Sequence, residues 1–67
     1  MSTFFEANQA RYLLKMNLVN YWWFRNATVI AGDDGYDVVI TTSKIDNLVR
    51  KTVPQVLNGV GIKVELE

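Results

Sequence analysis

The chain contains no cysteine and no histidine. Their absence excludes a disulfide scaffold and a thiolate zinc site, and removes the side chains that most often act as base, nucleophile or imidazole ligand. Excess charge of either sign is missing as well. Seven Lys and Arg stand against seven Asp and Glu, so the chain lacks the long-range field that draws basic proteins to nucleic acid or anionic lipid. No apolar run approaches the roughly 20 residues of a membrane helix, and no basic segment followed by an apolar core opens the sequence. A soluble, cytoplasmic protein that is not an enzyme, with no catalytic residues, no metal site and no cofactor, is therefore expected, and no membrane partner.

What is present is apolar. Hydrophobic residues make up 49% of the 67 positions, which separates the chain from disordered tails and points to one globular domain over residues 1–67. A domain this short, with neither disulfide nor metal, often gains stability by oligomerising.

From about Thr3 to Asn20 the sequence has no internal Gly or Pro and is rich in helix formers, which predicts a helix. At 100° per residue, Ala7, Ala10, Leu14 and Leu18 form one apolar stripe, and Phe5, Tyr12, Met16 and Val19 form a second on nearly the opposite side. Two stripes require two covering surfaces. From about Arg25 to Ala31 the period changes to two, and Gly32-Asp33-Asp34-Gly35 supplies a turn before a second strand from Tyr36 to Thr42. Asp34-Gly35 suits a type I′ hairpin, with Val29, Ala31, Val38 and Ile40 on one face and Thr28, Ile30, Val39 and Thr41 on the other. A register shift of two preserves those faces.

Ser43 and Asp46 form a capping-box-like start to a second helix, in which Ile45, Leu48, Val49, Thr52, Val53 and Val56 recur at helical spacing. Pro54 kinks or restarts that helix before Asn58-Gly59 ends it. Ile62, Val64 and Leu66 alternate with charged residues, the mark of a strand with one wet face. The expected fold class is α+β, a single small domain in the order α-β-β-α-β. A right-handed crossover through the second helix would lay the last strand parallel to the second. Placed beside the first strand instead, it completes a three-stranded antiparallel sheet of order 2-1-3, the arrangement expected here, with both helices packed on one face.

The aromatic run Tyr21-Trp22-Trp23-Phe24, followed by Arg25, falls where the helical pattern gives way to the strand pattern. Consecutive side chains diverge by about 100° in a helix or 180° in a strand, so four adjacent rings cannot all enter one core. If the first strand extends backward without a bulge, Trp23 enters the core while Trp22 and Phe24 join Ile30 and Val39 on the far face. The expected interaction surface is accordingly Tyr12, Met16, Tyr21, Trp22, Phe24, Arg25, Ile30 and Val39. A protein partner, or self-association as a homodimer, is expected to cover it. The alternative is a single-stranded nucleic-acid binder that stacks bases on residues 21–24, disfavoured by the lack of a continuous basic track.

Other motifs have plainer readings. Asp33, Asp34 and Asp37 lack the spaced ligands and distal Glu of a calcium loop, and the paired Asp of an exposed turn have no apolar pocket to separate their pKa values. Gly32-Asp33-Asp34-Gly35 shares the spelling of the backbone-clamping loop of KH domains. It is predicted to join two strands rather than two helices, and its negative charges repel phosphate, so membership is not assigned.

Overall fold

The computed structural model describes residues 3–33 and 35–67. Thr3 opens the first helix, α1 (Phe4–Leu18), through a reciprocal cap: its hydroxyl accepts from the Glu6 N–H at 3.1 Å, and its own N–H donates to Glu6 Oε1 at 2.9 Å. The stripe Ala7, Ala10, Leu14 and Leu18 is buried, as its spacing predicts. Strands β1 (Phe24–Gly32) and β2 (Gly35–Thr42) form an antiparallel hairpin that closes on the pair Gly32 and Gly35. Val29 lies opposite Val38 and Ala27 opposite Ile40, a register two residues from the one a turn centred on Asp34-Gly35 would set, and the two faces are those expected. Part of that turn centre, Asp34, lies outside the described residues.

Several features differ from expectation. Helix α2 (Asn47–Thr52) starts at Asp46, whose carboxylate accepts from the Val49 N–H at 3.0 Å, and Ser43 takes no part in the cap. The helix stops before Pro54 because the ring disfavours a helical Val53, which is extended at φ −92° and ψ 119°. The segment beyond does not restart as a helix. Val56–Leu57 forms a short strand, β3, joined by Asn58 and Gly59 to β4 (Val60–Leu66). Asn58 at φ 51° and Gly59 at φ 80° supply the two left-handed residues of a tight hairpin turn.

The largest correction concerns the sheet. Among the described residues it has four strands in the order β1-β2-β4-β3, mixed rather than antiparallel. β4 lies parallel to β2, with Val38 opposite Ile62 and Ile40 opposite Val64, and does not pair with β1. The connection from β2 through α2 returns the chain to the same end of the sheet, the geometry a parallel pair needs. β3 then gives β4 an antiparallel neighbour on its other side.

One core unites these pieces. Val49 and Val53 from the α2 segment join the α1 stripe, Trp23, Ala27, Val38, Ile40, Val60 and Ile62 in a single buried cluster. α1 lies over β1 and β2. Leu66, expected in the core, is exposed near the chain end.

Candidate protein-interaction surface

The outer stripe of α1 carries the strongest apolar exposure. Phe5, Tyr12, Met16 and Val19 are 72%, 56%, 59% and 56% exposed. Their spacing, with Gln9 filling the gap between Phe5 and Tyr12, runs four-three-four-three along the helix. That is the seam spacing by which one helix packs against another. Lys15 and the hydrogen-bonded pair Asn8 and Arg11 (3.0 Å) flank the stripe on one side, so that border is polar.

Past α1 the chain turns tightly: the Tyr21 N–H donates to Leu18 O at 3.0 Å, and the Phe24 N–H to Tyr21 O at 3.2 Å. This turn sorts the aromatic run. Trp23 is buried, and Tyr21 stacks on it with ring centroids 5.0 Å apart and planes inclined by 23°. Trp22 faces outward, 69% exposed, with Lys44 Nζ 4.9 Å from its ring centroid. Lys44 in turn pairs with Asp46 at 2.7 Å. Arg25 donates from Nη1 to Trp22 O at 3.2 Å and from Nε to Glu67 Oε1 at 3.3 Å.

Phe24 lies opposite Thr42, Asn26 opposite Thr41, and the register shifts between them. This bulge at Arg25 flips the alternation, so Phe24 packs against the core instead of joining the far face. Ile30 is half-buried, and Val39, between Thr28 of β1 and Lys63 of β4, is 6% exposed. The eight residues singled out from the sequence thus divide. Tyr12 and Met16 share the helix stripe, Tyr21, Trp22 and Arg25 gather at the turn, and Phe24, Ile30 and Val39 do not join either group as exposed surface. Lys44 was not legible as the neighbour of Trp22, because the two meet only through the fold. The Thr3 and Glu6 cap was missed from the sequence, although the spacing of Thr and Glu ahead of an apolar run carries its signal.

Only modest electrostatic perturbation accompanies this surface. A hydrogen bond from Lys44, then the Val49 N–H, holds the Asp46 carboxyl below its ordinary value. The Thr3 N–H, then the Thr3 hydroxyl, does the same for Glu6. Both effects belong to helix starts. A cleft of about 280 Å³ between the α2 segment and β4 is lined by Ile45, Arg50, Val53, Pro54, Gln55 and Ile62, and lacks a pair of titratable groups facing each other. Among the described residues no group of three His, Cys, Asp or Glu could hold a metal ion, and no helix is long and apolar enough to cross a membrane. Gly32 and Gly35 lie within a strand hairpin, unlike the helix-joining clamp whose spelling they share.

No family model, curated protein or solved structure matches this chain.

Proposed function

We propose that this chain is a non-enzymatic protein-interaction module that docks an amphipathic partner helix on the outer stripe of α1. The observation that carries this reading is the set Phe5, Tyr12, Met16 and Val19, each more than half exposed at helix-packing spacing. With large side chains offering 150–250 Å² each when fully exposed, the stripe presents roughly 400 Å² of apolar surface. At about 25 cal/mol per Å², covering it contributes on the order of 10 kcal/mol before the costs of association are subtracted. Tyr21 and Trp22 continue the aromatic surface into the following turn.

A photo-crosslinking residue placed at Met16, with a control at the exposed Lys51, tests the reading. A protein adduct of discrete mass at Met16, lost on adding Tyr12→Asp and absent from the control, is expected. Equal labelling at both positions overturns it. Saturable quenching of tryptophan emission by mixed oligonucleotides, weakened steeply by salt, would replace it with the nucleic-acid reading.

A further inference from the structure

The two edges of the sheet are treated differently. On one side, β3 covers the start of β4, the Ile62 N–H donates to Gln55 O at 2.9 Å, and the charged Lys63 and Glu65 follow along the strand. Charge and short covering strands are standard protections of an edge. On the other side, β1 pairs with β2 alone and has no further strand beside it among the described residues. From Asn26 to Gly32 it reads Asn-Ala-Thr-Val-Ile-Ala-Gly, with no charge and no proline. Its one protective feature is the bulge at Arg25, at the strand's beginning.

The hydrogen-bond alternation identifies which main-chain groups this edge presents. The Ser43 N–H donates to Trp23 O at 2.9 Å, which makes Phe24 and Thr42 a widely spaced pair. After the bulge, Asn26 and Thr41 form a closely spaced pair, and strict alternation follows to the Gly32 and Gly35 closure. Ala27, Val29 and Ala31 therefore direct their N–H and C=O groups away from β2.

We infer that β1 is a self-pairing edge: two copies of the chain join antiparallel through Ala27, Val29 and Ala31, fusing their sheets into one. This assigns a second surface, separate from the α1 stripe and independent of it. The register centred on Val29 against Val29 of the second copy uses all three outward residues and forms about six main-chain hydrogen bonds, whereas a slip by one pair strands an outward residue at each end. The same register brings Arg25, which also holds Glu67 Oε1 at 3.3 Å within its own chain, toward Asp33 of the second copy, twice by symmetry, so opposite charges meet at its ends. A second copy fits better than an unrelated strand because this one arrangement satisfies the outward groups and opposes those charges without further residues.

Amide hydrogen exchange across a dilution series, with sedimentation of the same samples, tests the inference. In concentrated samples that sediment as dimer, the amides of Ala27, Val29 and Ala31 should exchange about tenfold or more slowly than in dilute monomer, while amides bonded to β2 do not change. Ala31→Pro removes an outward donor without touching a bond to β2, and should abolish the dimer. Asp33→Arg should weaken the dimer, and Arg25→Asp added to it should restore it. The charge pair decides the matter if the proline variant fails to fold. A monomer at every concentration, outward amides indifferent to dilution, a folded Ala31→Pro variant that still dimerises, or an Asp33→Arg variant with undiminished association each overturns the inference. Tyr12→Asp should leave this dimer intact, and its loss there would assign association to the α1 stripe instead.

Discussion

The carboxylate of Asp37 occupies the space above Gly61: a Cβ on Gly61 would lie 2.9 Å from Asp37 Oδ1. On the other side, a Cβ on Gly32 would lie 2.8 Å from Oδ2. Lys63 Nζ stands 3.7 Å from the same Oδ2, so the two glycines let an acidic residue lie flat across three strands beneath its partner.

Gly61→Ala should therefore cost no more than about 1 kcal/mol, because the Asp37 carboxylate can turn aside at the expense of its pairing with Lys63. Asp37→Ala in the same chain should recover most of that loss. Thermal or urea denaturation of the two single variants and the double variant checks this, and additive losses would contradict the proposed crowding.

The adjacent tryptophans should respond to truncation to very different degrees. Trp23 is 1% exposed, so Trp23→Ala should cost about 3–5 kcal/mol. A domain of this length is expected to have only roughly 3–10 kcal/mol in total. Trp22→Ala removes an exposed cation–π contact and should cost no more than about 1 kcal/mol. Urea midpoints compared at constant slope measure both.

Stability should fall in acid through Glu6 and Asp46. Both carboxyls sit below their ordinary values of 4.5 and 3.8 in the folded chain. A depressed folded pKa contributes stability above the unfolded value, and that contribution is lost as pH falls through the folded one. Glu6→Gln and Asp46→Asn keep an acceptor at each helix start but abolish the titration. Their melting temperatures should lie below that of the parent at neutral pH and converge with it well below pH 4.

At the β3–β4 turn, Gly59 adopts φ 80° with nothing within 4 Å of where a Cβ would project. Gly59→Ala should thus cost about 1–2 kcal/mol from backbone strain alone. Asn58→Gly, at φ 51°, should be close to neutral. Equal costs at both positions by denaturant titration would contradict the left-handed pairing.

Local patterns were legible wherever spacing alone decides the outcome. The opposed stripes of α1 follow from its helical period, and the hairpin faces survive a register shift because that shift is even. Phe24 was misplaced because the bulge at Arg25 depends on how β1 meets β2, not on residue type. Val53 and Val56 fit helical spacing as well as an extended segment, and an Asn-Gly pair serves helix ends and hairpins alike, so β3 was concealed. The sheet order was unreadable because Ile62, Val64 and Leu66 alternate equally well beside β1 or β2. For the candidate surface, Tyr12 and Met16 were legible as an outward stripe, whereas the cation over Trp22 comes from a residue that only the fold brings near.

The parallel β2–β4 pairing has a kinetic consequence. The β1–β2 and β3–β4 hairpins each close over a short turn, while β4 must find β2 across the whole intervening α2 segment. Closing that longer loop incurs an entropic cost before its contacts offer any return, so it should be the slow step of folding. Truncating Val64, which faces Ile40 across this seam, should slow refolding, and so should loosening the Gly59 turn, because that hairpin is already closed when the seam forms.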